Sequence, residues 1–190
     1  DKFIDNASHI LIGGGMAFTF LKARGKEVGG SLVDNSMLNV AKKLLRKASE
    51  NNVQIHLPED VLCADDISSP KVITNLNVNK ISSNLMGLDI GPKTIKSFKR
   101  ALEKSKTVVW NGPLGLFEDK NFETGTKDIA DFLSKMVSED VKIIIGGGDT
   151  ASALSKFNLI NKMTHVSTGG GSSLELLSGK LLPAIKALEI

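Results

Sequence analysis

Three times in this chain an apolar, strand-like run ends in Gly-Gly-Gly and opens a helix-like run. That repetition constrains the fold more than any other feature. In Val141-Lys142-Ile143-Ile144-Ile145 four residues of five are apolar, which reads as a strand buried on both faces. Gly146-Gly147-Gly148 break it, and Asp149-Thr150 open a helix through Ala151, Ser152, Ala153, Leu154 and Ser155. A strand running through glycines into a helix start suits an anion. The backbone can approach a ligand closely, and the first-turn N–H groups sit at the positive end of the helix dipole. Asp149 would repel phosphate but could hold Mg²⁺, which favours a carboxylate together with phosphate oxygens and water. A structural turn with Asp149 as N-cap is the competing reading. The pattern recurs at His9-Ile10-Leu11-Ile12 before Gly13-Gly14-Gly15, and at His165-Val166-Ser167-Thr168 before Gly169-Gly170-Gly171. A fourth turn, Asn111-Gly112-Pro113-Leu114-Gly115, follows Val108-Val109-Trp110. Parallel strands put their C-terminal ends on one edge, so the four turns are expected on one rim, where open α/β sheets bind ligands.

The remaining segments fill in an α/β rhythm. Strands are expected near 9–12, 53–57, 107–110, 142–145 and 163–167. Helices are expected near 15–24, 36–51 (capped by Asn35 or Ser36), 93–104, through Ile129, Phe132, Leu133 and Met136, and near 172–179, with a last helical turn at 184–188. Residues 1–6 read as the end of a helix. Gly87-Leu88-Asp89-Ile90-Gly91-Pro92 reads as a tight loop, with Pro92 suited to the first turn of the helix after it. Residues 59–86 break the rhythm: Val61-Leu62-Cys63-Ala64 and a run from Lys71 to Val78 look like short strands of a small antiparallel insertion. Asp65-Asp66 reads as a turn rather than a metal pair, and His56 as an ordinary strand residue.

Other chemistries find little support. The chain has 190 residues and a net charge of +3, enough for one domain with a real core. Lys42, Lys43, Arg46 and Lys47 cluster without interleaved aromatics, so they read as a solvated helix face and no nucleic-acid partner is expected. Cys63 is the one cysteine, which excludes an internal disulfide and fits a reducing, cytoplasmic setting. No apolar run approaches the ~20 residues of a membrane span. There is no signal peptide pattern, and the start at Asp1 without Met reads as a piece of something longer. Walker A, Gly-x-Gly-x-x-Gly, Gly-x-Ser-x-Gly and zinc-spaced Cys/His patterns are all missing.

Together, five stretches resemble the phosphoglycerate kinase family. They are Ile12 through Leu21, Gly87 through Pro92, Val109 through Glu118, Ile145 through Thr150, and Ser167 through Leu177. Their order and spacing resemble the C-terminal, nucleotide-binding half of that family over nearly the whole chain. The resemblance implies a Rossmann-like three-layer αβα fold: a mostly parallel sheet, helices on both faces, and a small antiparallel sheet at 59–86. It implies glycolytic phosphoryl transfer between 1,3-bisphosphoglycerate and ADP, with Mg²⁺. It also implies a monomer whose other substrate is held by an N-terminal domain. By motif, Gly13, Gly14, Leu32, Gly87 and Leu88 would line the adenine pocket, with Gly112, Leu114 and Phe117 continuing the wall. Glu118 would bind the ribose hydroxyls, Asp149 the metal. Thr150 and neighbouring groups at Asn111, Gly147 and Gly170 would contact the nucleotide. Gly148 and Gly171 would offer N–H groups to the phosphoryl in transfer. Two departures stand out. The family's Gly-Gly-Ala-Lys-Val turn and a second lysine, which precede the first residue here, are absent, as is the 3-phosphoglycerate domain with its arginine. Ser172 stands where the family often has alanine. The chain alone is therefore expected to bind nucleotide without completing the reaction. A non-catalytic anion-binding module is the alternative, one that would not need Asp149-Thr150 beside two further glycine turns.

Overall fold

The computed structural model describes residues 1–167. The Gly169-Gly170-Gly171 turn, Ser172 and the helices expected at 172–179 and 184–188 lie outside the described residues. The elements run β1 (His9–Leu11), α1 (Gly14–Ala23), α2 (Leu38–Glu50), β2 (Gln54–His56), β3 (Asp60–Ala64), β4 (Ile73–Asn77), β5 (Met86–Ile90), α3 (Pro92–Leu102), β6 (Thr107–Asn111), α4 (Thr124–Met136), β7 (Lys142–Gly146), α5 (Gly148–Lys156) and β8 (His165–Ser167). This is a mixed α/β fold with parallel strands, helices and a small antiparallel sheet, as the sequence leads one to expect. The parallel ladders are divided: β1 pairs with β2, and β7 lies between β6 and β8.

The core explains the pattern of the central stretch. Ile143 and Ile145 are completely buried, Ile144 is half-buried and Lys142 is exposed. They pack with Phe98 of α3, Leu133 of α4 and Leu154 of α5. A second cluster joins α1 to the antiparallel sheet through Phe18, Leu21, Val61 and Cys63. On α2, Ala41 and Ala48 face inward while Lys42, Lys43 and Arg46 are solvated. Lys47 is half-buried and pairs with Asp1 at 2.9 Å and Asp5 at 2.7 Å.

Three local expectations change. Residues 87–90 are not a tight loop but most of β5, which makes the antiparallel sheet three-stranded, in the order β4-β3-β5. Glycine and aspartate are poor strand formers, so local preference hid it. Gly87 is needed there because the Phe18 ring occupies the space a Cβ would take. The cap before α2 is Asp34, whose carboxylate accepts from the Ser36 N–H at 2.9 Å ahead of a short 3₁₀ turn, Asn35–Met37. Residues 1–6 hold one 3₁₀ turn, Lys2–Asp5. Pro92 does open α3, and Asp60 caps it from β3, accepting from the Thr94 N–H at 2.8 Å and the Lys93 N–H at 3.2 Å. Burial alone would raise the Asp60 carboxyl, but bonds from Asn75, Thr94 and Lys93 hold it below the usual carboxylate range.

Candidate functional site

Three of the four glycine turns meet on one rim. In the parallel ladder Asn111, the last residue of β6, lies opposite Gly146, the last of β7, and Gly146 lies opposite Ser167, the last of β8. β1 reaches the same place by a loop contact: the Gly14 N–H donates to the Leu114 carbonyl at 3.1 Å. The β6 and β7 turns are joined by Thr150. Its hydroxyl accepts from the Gly112 N–H at 2.7 Å and donates to the Gly146 carbonyl at 3.0 Å. The Trp110 indole N–H closes the β6 turn on the Gly112 carbonyl at 2.7 Å. These parallel strand ends meet as expected. The fourth turn, with Gly170 and Gly171, lies outside the described residues.

Gly147 is the N-cap of α5, with φ of 90°, a conformation that side chains rarely adopt. An added Cβ there would also lie 2.6 Å from the Asn111 Oδ1. Asp149 is therefore in the first turn of α5 rather than its N-cap. Asp149 is exposed, and the space next to Gly148 is open. Thr150 is completely buried, so its hydroxyl serves the two turns.

The side of the rim at the first glycine turn is more apolar. Leu32 is 77% exposed and Met16 62%, beside the first glycine turn; Leu32 Cδ2 lies 3.0 Å from where a Gly15 Cβ would stand. Gly87 joins this loop by donating its N–H to the Ser31 hydroxyl at 2.9 Å. Leu88 joins the opposite side, its carbonyl accepting from the Leu116 N–H at 2.8 Å. Leu114 and Phe117 are buried, Leu114 within the main core cluster, while Glu118 is exposed. Gly13, Gly14, Leu32, Gly87, Leu88, Asn111, Gly112, Leu114, Phe117, Glu118, Gly147 and Thr150 thus fall on connected strands, turns and helix starts.

Several supporting residues escaped sequence reasoning. The Thr126 hydroxyl of α4 accepts from the Leu114 N–H at 3.0 Å. Asp89 accepts from the Gly125 N–H of α4 at 2.7 Å and from the Ile90 N–H at 2.8 Å. Burial pushes its carboxyl up to about 7, against these two N–H groups and with help from nearby Asp128. Lys156, in the last turn of α5, donates to the Phe117 carbonyl at 2.7 Å and pairs with Glu123 at 2.6 Å. Only Asp89 carried a signal, a lone charge between glycine and apolar residues. Elsewhere, His9 and His56 stack at 5.2 Å, and burial first, then the charge of His9, lowers the His56 pKa. The buried Cys63 thiol is pushed up to about 11 by desolvation, which makes it a poor nucleophile.

Among the described residues no group of three His, Cys, Asp or Glu side chains could hold an ion, so a metal at this rim would be held in part by a bound ligand and water, with a carboxylate beside it. Asp149 fits that task. It is exposed at a helix start with open space beside it, and Mg²⁺ ordinarily keeps water and takes ligand phosphate oxygens.

The family model for phosphoglycerate kinase matches residues 1–180. A phosphoglycerate kinase of Synechococcus sp. (strain CC9605) is 50% identical over 189 residues, 100% of this chain and 47% of its own length. One from Thermosipho africanus (strain TCF52B) is 46% identical over 188 residues, with 98% and 47% covered. Among solved structures, phosphoglycerate kinase from Coxiella burnetii superposes with a TM-score of 0.93 at 43% identity, covering 98% of this chain and 48% of that one. The protein from Pyrococcus horikoshii OT3 gives 0.73 at 25% identity, with 99% and 48% covered. The chain spans about half the length of the curated relatives it matches.

Proposed function

The chain belongs to the phosphoglycerate kinase family, and from that premise we propose that it is the nucleotide-binding half, taking Mg·ADP or Mg·ATP. The observation that carries this reading is the junction of three strand ends. The Gly14 to Leu114 and Gly112 to Thr150 bonds draw an apolar lip, an exposed Glu118 and an exposed Asp149 onto one edge.

In this reading the adenine lies against Gly13, Gly14, Leu32, Gly87 and Leu88, with Gly112 at the turn. Leu114 and Phe117 act from beneath as the packed floor, because both are buried. Glu118 accepts from the ribose hydroxyls. Asn111, Gly147 and Gly170 flank the phosphates, as does the backbone of Thr150. Gly148 and Gly171 present N–H groups to the phosphoryl in transfer, and the α5 dipole favours its negative charge. Asp149 holds Mg²⁺, which when bound neutralises charge on the phosphates and orients them. The reaction is the glycolytic transfer between 1,3-bisphosphoglycerate and ADP, with the acid substrate held by the half of the kinase that this chain does not span. Positioning and charge stabilisation are most of what such a transfer asks of a protein.

Calorimetric titration of the chain tests the assignment of halves. Mg·ADP should bind and 3-phosphoglycerate should not. Binding of 3-phosphoglycerate without ADP would make this the acid-substrate half.

A further inference from the structure

The loop proposed to read adenine and ribose is held at both ends by one helix. At the first turn of α5 the Thr150 hydroxyl takes the Gly112 N–H. At its last turn the Lys156 ammonium donates to the Phe117 carbonyl at 2.7 Å and to the Glu118 carbonyl at 3.3 Å. The same ammonium pairs with Glu123 at 2.6 Å. Two of the ammonium's three N–H donors thus go to carbonyls of the loop, and Glu123 lies against it as an ion pair. Lys156 is only 34% exposed at its side chain and Glu123 only 20%, so the cluster is part-sheltered from the water that weakens surface pairs. A lysine in the last turn of a helix ordinarily serves that helix's own carbonyls and dipole. Here it serves a segment 38 and 39 residues earlier in the chain.

The consequence lies at Glu118. Its carbonyl is tied to α5 while its side chain is exposed. With the carbonyl fixed, the carboxylate can reach only a limited arc, and that arc is set relative to the helix that carries Asp149. We propose that Lys156 is a positioning residue of the nucleotide site. By holding the peptide between Phe117 and Glu118 against α5, it fixes the ribose-reading carboxylate at a set distance from the phosphate end. This inference rests on the reading of Glu118 given above. Without the ammonium, the loop keeps its buried Phe117 and its Gly112 anchor but loses the restraint at Glu118. Ribose recognition should then weaken more than adenine or phosphate recognition.

The test compares wild type, Lys156→Met, Lys156→Arg, Glu123→Gln and Glu118→Ala. Each is titrated calorimetrically with Mg·ADP and with the Mg complex of 2′-deoxy-ADP, and each is checked for folding by circular dichroism. Wild type should prefer ADP by about tenfold or more, the loss expected when a hydrogen bond to a charged group is removed. Glu118→Ala should abolish that preference. Lys156→Met should shrink it to about threefold or less, Lys156→Arg should keep most of it, and Glu123→Gln should fall between. A purely structural lysine would weaken both nucleotides equally, leaving the ratio intact, and that result overturns the inference. If Glu118→Ala itself leaves the ratio unchanged, the ribose reading fails, and the role of Lys156 falls with it. Should Lys156→Met not fold, Glu123→Gln decides: an unchanged ratio counts against the inference, a reduced one for it.

Discussion

The Thr150 hydroxyl has no exposure to solvent, yet it sits one residue from Asp149, which is open to water. The two side chains therefore differ at one helix start: Thr150 ties the rim together and Asp149 is left open to solvent. If Asp149 serves the metal, Asp149→Ala should weaken Mg·ADP by roughly 1.5–3 kcal/mol, the typical worth of a bond to a charged group. Metal-free ADP should lose nothing, because the removed carboxylate repels phosphate. Calorimetry with and without Mg²⁺ measures both, and equal losses would remove the metal assignment. Asp149 stood out in the sequence as a carboxylate at a helix start after a glycine turn, whereas Glu118 was singled out only by the family resemblance. The duty of Thr150 was only half legible. The family resemblance makes Thr150 a phosphate contact, and nothing local reveals that Gly112, 38 residues away, will claim its hydroxyl. Lys156 was illegible for the same reason, since its partners are carbonyls that every residue possesses.

At the scale of elements, helices were more legible than the strands between 59 and 91. α3 and α4 carry their apolar residues at helical spacing, and both appear within a few residues of where periodicity puts them. β5 does not alternate cleanly, because Gly87 and Asp89 take two of its buried positions. Each has a tertiary reason: Gly87 makes room for Phe18 of α1, and Asp89 caps α4 through the Gly125 N–H. Asp89 thus joins β5 to α4 with a buried carboxyl raised to about 7 from an ordinary value of 3.8. Between those two values the folded chain keeps a proton that the unfolded chain has released. Its contribution to stability is therefore complete below the ordinary value and is lost as pH rises through about 7. The slope can reach about 1.4 kcal/mol per pH unit in that window. Asp60 has the opposite sign, losing stability on acidification, but wild type and Asp89→Asn share it. The difference in thermal stability between wild type and Asp89→Asn isolates Asp89. That difference should favour wild type more at pH 5 than at pH 8. A difference that is flat with pH would mean that Asp89 is already ionised in the folded chain at both.

At the scale of the whole molecule, the chain covers about half of the kinases it resembles, and the chemistry proposed for it is correspondingly incomplete. The rim offers a helix N-terminus at α5 with Asp149 in its first turn. A helix terminus contributes ~0.3–1 kcal/mol when exposed and up to ~2 kcal/mol when partly buried. One such terminus falls well short of the ~8 kcal/mol or more by which enzymes lower a barrier. The resemblance assigns the missing charge to two lysines ahead of the first residue and to an arginine on the other half. Proximity is missing too. In the proposed reading the acid substrate has its site on the other half, so with this chain alone its carboxyl group would meet the nucleotide only by diffusion, and the gain from holding two reactants together would be lost. The 190-residue chain should therefore bind ADP and ATP yet show no phosphoryl transfer in a coupled assay. Adding the separately expressed other half should restore a little turnover, rising with its concentration because docking limits the rate. Turnover by the chain alone near that of an intact kinase would place every catalytic group within these residues, and the division of labour between the halves would be wrong.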